Sequence, residues 1–217
     1  MKQKPHKNQT RKPKQARAKQ KYEAILDACT QVLAEKGYQK TTILELSLES
    51  GVAVPTLYQY FENKDAIFVA WVERIIDQVL TQVASLEASL ATKNTEQHVS
   101  VLLTGALSAV NTYRKSMQQL LSSVPQTISS QIIASLESKT LNMLQTIYAP
   151  QLKQLEQQQT LFQLSILIRL ITGYFIQTVL NAERSVELEI EAKELTLIVT
   201  LYLAHHKISL RTPQPNN

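Results

Sequence analysis

The amino-acid sequence predicts an all-α protein, and three observations indicate this fold class. The chain of 217 residues contains only four glycines and seven prolines. No stretch shows sustained alternation of apolar and polar residues, which a half-buried strand would show. Apolar residues instead recur at three- and four-residue steps over long segments, as on one face of an α-helix. The length allows one or two domains with a sizeable core.

The first helix is predicted over residues 17–36. Its apolar side chains recur along one face: Tyr22, Ile25, Leu26, Cys29, Val32 and Leu33. Gly37 follows and suits a helix end, because glycine adopts positive φ at little cost.

Two short helices are predicted next, the second over residues 43–50 and the third from Pro55 to Phe61. Thr42 and Glu45 have the spacing of a capping box, in which a hydroxyl and a carboxylate three residues later satisfy backbone N–H groups at the helix start. Gly51 ends the second helix. Pro55 suits the first turn of the third helix, because its missing N–H would have no partner there.

The rest of the chain is also predicted to be helical. Asn63 suits the cap of the fourth helix, with Asp65 favourably placed in its first turn. The later helices are predicted over about residues 64–91, 96–121, 126–148, 160–180 and 188–206. Residues 151–159 are rich in glutamine and are interpreted as an exposed helix extension or a loop.

The N-terminal segment, residues 1–16, is predicted to be a disordered basic arm because it is polar and contains two prolines. The charged side chains of the first 21 residues are all basic: Lys2, Lys4, Lys7, Arg11, Lys12, Lys14, Arg17, Lys19 and Lys21. The remainder of the chain carries more acidic than basic residues. Such an arm suits a polyanion such as DNA, RNA or an anionic membrane surface, or it is a solubilising tail. The polar tail, residues 208–217, is predicted to be flexible.

Composition limits the cellular setting. A single cysteine, Cys29, excludes an internal disulfide and a cysteine-rich metal site, and its place on an apolar face predicts a small core residue. No apolar run follows the basic start, so we expect a cytoplasmic protein without a secretory signal. The most membrane-like stretch, residues 161–180, contains Arg169, which would cost about 2.5–3.5 kcal/mol in a bilayer. We therefore expect that helix to lie between protein surfaces and the chain to have no membrane partner.

No catalytic, metal or cofactor site is expected. The histidines are His6, His98, His205 and His206, and no H-E-x-x-H motif, glycine-rich phosphate loop or cysteine pair accompanies them. Adjacent His205 and His206 would point about 100° apart on a helix, so they do not form a ready metal clamp.

The third helix carries unusual outward side chains. Leu57 and Phe61 lie four residues apart and can pack inward, which leaves six residues on the remaining surface: Val54, Pro55, Thr56, Tyr58, Gln59 and Tyr60. Hydroxyl and amide groups bond phosphates or base edges, and the apolar Val54 and Pro55 suit contact with a thymine methyl. The alternative is that the two tyrosines serve surface packing.

On these residues the chain resembles the TetR (tetracycline-repressor-like, TetR/AcrR) family of transcriptional regulators. The resemblance covers about residues 18–79 and rests on motifs in the family's order and spacing: Gly37-Tyr38, Thr41-Thr42-Ile43, Gly51-Val52, Thr56-Leu57-Tyr58-Gln59-Tyr60-Phe61 and Asn63-Lys64-Asp65. It implies an N-terminal three-helix DNA-binding head over residues 18–79, with a helix-turn-helix at about 42–61. A helical ligand-binding and dimerisation domain would follow over residues 80–207.

The resemblance also implies a function. The chain would be a homodimeric repressor that binds a palindromic operator in double-stranded DNA and is released by an unknown small-molecule effector. Its DNA-binding residues would be Thr42, Val54, Pro55, Thr56, Tyr58, Gln59, Tyr60 and Lys64. Thr42, Tyr58, Tyr60 and Lys64 would approach phosphates, and the others would face bases or nearby backbone.

Three positions depart from the family's pattern. Leu44 stands where members often carry a polar or basic residue that faces DNA, and Leu48 stands where they are often polar. Ala53 replaces the common polar cap of the recognition helix. These departures concern the operator sequence and the role of Leu44 rather than the fold.

A dimer is expected because specific operators usually need two recognition helices about 34 Å apart. The last two helices are apolar on more than one face, so one face can pack on the core and the other on a second copy. The predicted interface residues are Leu164, Ile168, Ile171, Phe175, Leu195, Ile198 and Tyr202. Other apolar residues of these helices are Phe162, Ile166, Leu170, Tyr174, Ile190, Leu197 and Leu201. The alternative is a central core helix in a monomer.

The resemblance implies an effector pocket among the fourth to eighth helices. The candidates are large or polar groups near apolar faces: Trp71, Tyr113, Met117, Tyr148, Phe162, Tyr174 and Gln177. Ordinary core packing is the alternative for each. Effector binding would favour a conformer whose two reading heads no longer match the groove spacing. A second interpretation of the chain is a helical scaffold whose basic arm binds anionic lipid or an acidic partner.

Overall fold

The structure is a computed structural model that describes residues 15–85, 94–148, 157–181 and 188–209. These residues form helices α1 (Ala16–Lys40), α2 (Ile43–Ser50), α3 (Val54–Tyr60), α4 (Lys64–Ser85), α5 (Thr95–Leu121), α6 (Gln126–Ile147), α7 (Gln157–Leu180) and α8 (Leu188–His205). The all-α prediction is confirmed. Most of the predicted basic arm, the tail from residue 210 and residues 151–156 lie outside the described residues.

The first helix differs from its prediction at its C-terminal end. Gly37 interrupts the helix with φ 70° and ψ 170°, and one further turn follows as far as Lys40. The Gly37 carbonyl accepts hydrogen bonds from the backbone N–H of Thr41 at 3.2 Å and from its hydroxyl at 2.7 Å. This buried threonine therefore caps the interrupted end, and the glycine serves as a break within the element.

The described residues divide into two compact units. The first comprises residues up to Ile75 together with Lys115–Ile132, and the second comprises Ile76–Arg114 and the residues from Ile133 onward. The division does not follow the predicted domain boundary at residue 79, because the first unit takes in a segment that the sequence assigned to the C-terminal domain.

The first unit is built on an apolar core beneath its short helices. The fully or almost fully buried side chains of this core include Ile25, Leu26, Cys29, Leu33, Leu46, Leu57, Phe61, Ile67, Phe68 and Trp71. The indole Nε1–H of Trp71 donates to the Thr30 hydroxyl at 3.0 Å, so the ring's polar group is satisfied. Burial of this kind is worth about 1.5–3 kcal/mol for each large apolar side chain.

The segment Lys115–Ile132 completes this core. Leu120, Ile128 and Ile132 are buried, and the Ser116 hydroxyl donates to the Thr30 carbonyl at 3.1 Å. The first unit is therefore more than a three-helix head, because residues distant in sequence close its apolar interior.

The second unit has its own apolar core on α5, α7 and α8. Its buried members are Val99, Leu103, Leu107, Tyr148, Leu164, Leu167, Ala192, Leu195, Val199, Leu203 and Ile208. The fully buried pair His98 and Tyr148 lies in this unit, with the His98 Nδ1 and the Tyr148 hydroxyl 3.1 Å apart. The Tyr202 hydroxyl also donates to the Gln163 carbonyl at 3.2 Å and ties α8 to α7.

One helical stretch in the described residues, Gln158–Leu180, has the length and hydropathy of a membrane span, although only 33% of its most apolar window is buried. Core helices of soluble proteins satisfy the same two criteria. The side chain of Arg169 in this stretch pairs with Glu137 at 3.3 Å within the second unit.

Candidate nucleic-acid interface

The turn between α2 and α3 is fixed by local hydrogen bonds. Thr42 and Glu45 form the predicted capping box, with the Glu45 N–H donating to the Thr42 hydroxyl at 3.2 Å and the Thr42 N–H donating to the Glu45 carboxylate at 2.8 Å. Gly51 ends α2 in the left-handed region at φ 64° and ψ 16°. The Ser47 hydroxyl donates to the carbonyl of buried Val52 at 2.7 Å and holds the chain as it leaves the turn.

Helix α3 is anchored by its two predicted inward residues. Leu57 and Phe61 are each 1% exposed, and the Phe61 ring stacks on Tyr22 of α1 at a centroid distance of 5.0 Å. Ala53 makes no side-chain cap bond, but its carbonyl accepts from the Thr56 N–H at 2.8 Å and starts the helix. The burial of these anchors turns the remaining residues of α3 outward.

The predicted reading residues of α3 lie on its outer side. Pro55, Tyr58 and Gln59 are exposed, and Tyr58 keeps 56% of its surface. Val54 and Thr56 are half-buried. Tyr60 is half-buried too, because its ring meets Tyr22 edge-on at a centroid distance of 6.0 Å. The helix therefore presents one exposed phenol, one exposed amide and a small apolar surface.

Thr42 and Lys64 already have partners within the chain. The Thr42 hydroxyl takes part in the capping box, and the Lys64 ammonium donates to the Tyr38 carbonyl at 2.9 Å. The same ammonium lies 4.2 Å from the centroid of the Tyr38 ring, a cation–π arrangement. A contact between Lys64 and a phosphate would have to share or replace these interactions.

Several charged groups of this unit are paired locally. Lys36 donates to the Glu45 carboxylate at 2.8 Å, which lowers the pKa of Glu45 and raises the pKa of Lys36. The Tyr38 hydroxyl donates to Asp65 at 2.6 Å, and burial together with this bond raises the pKa of Tyr38. Burial likewise raises the pKa of Tyr22 to about 12. Both tyrosines are therefore neutral, and Tyr38 serves as a hydrogen-bond donor.

Two exposed leucines extend this surface onto α2. Leu44 is 61% exposed and Leu48 is 74% exposed, whereas Leu46 between them is fully buried. They lie one helical turn apart and each about 160° from Leu46, on the opposite side of the helix. The sequence marked both as departures from the family pattern but assigned them no role.

The seven predicted effector residues are divided between the two units. Trp71 and Met117 belong to the first unit, whereas Tyr113, Tyr148, Phe162, Tyr174 and Gln177 belong to the second. Trp71 fills the core of the first unit, Phe162 is 66% exposed and Gln177 is exposed. Tyr148 and Tyr174 remain in or against the core of the second unit, and the Tyr113 hydroxyl donates to Gln78 at 3.4 Å. Trp71 is therefore a core residue of its unit and Phe162 a surface residue, and the implied pocket among the fourth to eighth helices stays a prediction.

A groove of 660 Å³ lies in the second unit between the N-terminal parts of α5 and α8. Its lining surface is more apolar than polar, and the polar residues along it include Gln97, Ser100, Thr104, Lys193 and Thr196. None of the seven predicted effector residues lines this groove.

The structure reverses the predicted faces of the last two helices. Leu164, Ile168 and Leu195 are buried within the second unit, and Ile171, Phe175 and Tyr202 pack against its core. Of the seven predicted dimer residues only Ile198 is largely exposed. The exposed apolar residues of these helices are Phe162, Leu170, Ile190, Leu197, Ile198 and Leu201. Because α7 and α8 are apolar on more than one side, their sequences did not show which side faces inward.

Among the described residues, no group of three or more histidine, cysteine, aspartate or glutamate side chains is placed to hold a metal ion. His98, which the sequence treated as isolated, instead lies beside Tyr148. Residues so far apart in the chain gave no local signal of this contact.

The N-terminal part of the chain matches a known protein family. Residues 25–71 match the family described as bacterial regulatory proteins, tetR family. This range contains α2, α3 and most of α1, so the match covers the helix-turn-helix whose geometry is given above.

Two curated relatives illustrate the similarity. The chain is 38% identical over 71 residues to the uncharacterized HTH-type transcriptional regulator YvdT of Bacillus subtilis, a region that makes up 33% of this chain and 36% of that protein. It is 40% identical over 50 residues to the fatty acid metabolism regulator protein of the same organism, covering 23% of this chain and 26% of that one. The chain thus covers about a third or less of the length of these two curated relatives.

A solved structure extends the similarity to the whole fold. The transcriptional regulator FadR from Bacillus subtilis in complex with stearoyl-CoA superimposes with a TM-score of 0.62. The superposition covers 82% of this chain and 97% of that chain at 19% sequence identity. At this identity the comparison supports a shared fold.

Proposed function

We propose that this chain, whose N-terminal domain belongs to the TetR family of bacterial regulatory proteins, is a sequence-specific DNA-binding transcriptional repressor. It acts in the cytoplasm as a homodimer on a palindromic operator, and a small-molecule effector releases it. The observation that carries the proposal is the outer face of α3. Tyr58 and Gln59 are held outward there by the burial of Leu57 and Phe61.

This face suits a DNA groove for physical reasons. The major groove of B-DNA admits an α-helix, and phosphates on its edges accept hydrogen bonds from hydroxyl groups. The exposed Tyr58 phenol supplies such a donor, and the Gln59 amide has the donor and acceptor pair that matches adenine. An exposed aromatic ring on a short helix is otherwise an unfavourable surface, so DNA contact gives it a role.

The exposed apolar residues of α7 and α8 support dimer formation. On α8, Ile190, Leu197 and Leu201 follow one another at helical spacing, and each is more than half exposed. On α7, Leu170 is 63% exposed, and Gly173, less than one turn later, has open space where a side chain would project. A second copy covering these residues would remove them from water in a symmetric four-helix interface.

Effector control is proposed for the second unit. Its core contains the buried pair His98 and Tyr148, and polar groups within an apolar core are a common means of orienting a ligand. An effector that binds better to the DNA-incompetent conformer would weaken operator binding by about 5–150-fold, the usual range of such coupling. Stearoyl-CoA, which is bound in the solved Bacillus subtilis relative, is a rational first probe.

The test of DNA binding begins with selection of bound duplexes from a random library by the full-length chain. We expect enrichment of a palindromic motif. Binding of the enriched duplex is then measured by fluorescence anisotropy at about 0.15 M salt. Tyr58→Phe should weaken binding of the dimer about 100-fold, because each of the two protomers loses one hydrogen bond to a charged group, worth about 1.5 kcal/mol. Tyr113→Phe removes a hydroxyl from the second unit and is the matched control.

The double variant Tyr58→Ala/Tyr60→Ala separates DNA binding from an electrostatic scaffold role. It should abolish sequence-specific binding while any association of the basic arm with anionic phospholipid vesicles stays unchanged. Failure to enrich any motif, or full specific binding by the double variant, would overturn the proposal.

A further inference from the structure

Helices α2 and α3 contain no cationic side chain. Between Lys40 and Lys64 the sequence has no lysine, arginine or histidine, and this interval contains all of α2 and α3. Bidentate contact from arginine or lysine to guanine O6 and N7 is the commonest specific contact in the major groove. The two helices therefore lack the groups on which guanine recognition usually depends.

Apolar surface stands where such groups would be expected. In the first unit the large exposed hydrophobic residues are Leu44 and Leu48 on α2 and Tyr58 on α3. Leu44 is two residues from Thr42, which caps the end of α2 that meets the phosphate backbone in the proposed binding mode. Pro55 adds an exposed apolar group at the start of α3.

The two acidic residues of α2 do not lie at the centre of its outer side. Glu45 is engaged by Lys36 and by the N-terminal backbone of its own helix. Glu49 is exposed but lies only about 60° from buried Leu46 on the helical wheel, whereas Leu44 and Leu48 each lie about 160° from Leu46. The outermost side of α2 is therefore apolar.

We propose that helices α2 and α3 read A·T base pairs. Thymine methyl groups would contact Leu44 and Pro55, and the edge of an adenine would form hydrogen bonds with the Gln59 amide. This inference rests on the proposed function and specifies the class of DNA sequence. It follows from the donor and acceptor code of the major groove, in which thymine alone offers a methyl group and glutamine pairs with adenine N6 and N7. Phosphate attraction comes from the basic residues that flank the two helices in sequence.

The experiment uses the duplex enriched from the random library and versions of it in which single thymines are replaced by uracil. Uracil lacks only the methyl group, so base pairing and the minor groove are unchanged. Each thymine in a read position should lose about fourfold in affinity, which corresponds to about 0.8 kcal/mol for one buried carbon at about 1.4 kcal/mol per tenfold. Uracil placed outside the half-sites is the matched control and should have no effect.

A double-mutant cycle tests whether Leu44 is the residue that contacts the thymine methyl group. Leu44→Ala should weaken binding to the thymine duplex and have little further effect on a duplex with uracil at that position in both half-sites, because both changes then remove the same contacts. Leu44 is exposed, so this change should leave the fold intact. Gln59→Ala should reduce discrimination at an adenine position instead.

The outcomes separate the inference from the proposed function. If no motif is enriched, the proposed function fails. If a motif is enriched but its half-sites are specified by G·C pairs and tolerate uracil at every thymine, the DNA-binding function stands and the A·T inference is overturned.

Discussion

Replacing Gly37 with alanine tests the structure of the first unit most directly. At φ 70° and ψ 170° this residue occupies a region that is open essentially to glycine alone. A backbone held in such a conformation costs about 1–3 kcal/mol for other residues. The new Cβ would also lie 2.9 Å from the Gln119 Oε1 atom. We expect Gly37→Ala to destabilise the first unit by about 2 kcal/mol.

The assay is urea unfolding followed by tryptophan fluorescence. The chain has one tryptophan, and Trp71 is fully buried in the same unit as Gly37. A loss of about 2 kcal/mol moves the midpoint by about 1 M when the slope is about 2 kcal/mol/M. The signal reports on the first unit, so separate unfolding of the second unit does not obscure the result.

Two further variants separate backbone strain from the contact. Gln119→Ala in the Gly37→Ala background removes the close atom, which ends a flexible side chain, and should restore at most about 0.5–1.5 kcal/mol. Gly51→Ala is the matched control, because Gly51 also has positive φ but nothing lies within 4 Å of an added Cβ. It should cost about 1–2 kcal/mol from the left-handed backbone alone. An unchanged midpoint for Gly37→Ala, or complete restoration by Gln119→Ala, would refute the strain argument.

Three other results are expected. Leu201→Glu places a charge on the exposed side of α8, so it should sediment as a monomer while its helicity is unchanged. Leu195→Ala removes a buried side chain instead and should destabilise the second unit by about 2–5 kcal/mol. A Leu201→Glu dimer would contradict the proposed interface. Cys29 should resist a thiol reagent in the folded protein and react fully in urea, because burial raises the pKa of its thiol; rapid modification without urea would contradict its burial. The hydrogen bond from Lys36 lowers the pKa of Glu45 in the folded state. The ionised Glu45 therefore stabilises the fold above its unfolded-state pKa, and this stabilisation is lost as the pH falls through its folded-state pKa. Glu45→Gln should therefore lose less stability than the parent between neutral and acidic pH in the tryptophan assay, and parallel pH profiles would count against this linkage.

Local signals explain why the helices could be predicted from the sequence. The capping box at Thr42 and Glu45, the glycine at position 51 and Pro55 each act over a few residues, so they mark helix ends without tertiary information. The exact prediction of α2 over Ile43–Ser50 follows from these groups. The outward side of α3 could be inferred for a similar reason, because only two of its apolar positions have the spacing of an inward face.

Long-range features could not be predicted in this way. Helix α7 carries apolar residues on opposite sides, so the burial of Leu164 and the exposure of Phe162 depend on the helices packed around it. The contact between His98 and Tyr148 joins positions 50 residues apart. The partners of Lys64 are equally non-local, since its bond to the Tyr38 carbonyl joins positions 26 residues apart.

The composition of the first unit has a consequence for the DNA-binding domain as a fragment. A fragment ending at the predicted boundary, residue 79, would lack Leu120, Ile128 and Ile132, all of which are buried in the first unit. At about 1.5–3 kcal/mol for each buried side chain, their loss is comparable to the whole stability of a small domain. The same fragment would leave the carbonyl of Thr30 without the Ser116 hydroxyl that donates to it. The DNA-binding residues thus come from one continuous range of the sequence, but residues from a second range stabilise the unit that holds them. We therefore expect α3 to keep its outward face only when the residues of α5 and α6 complete the core of the first unit.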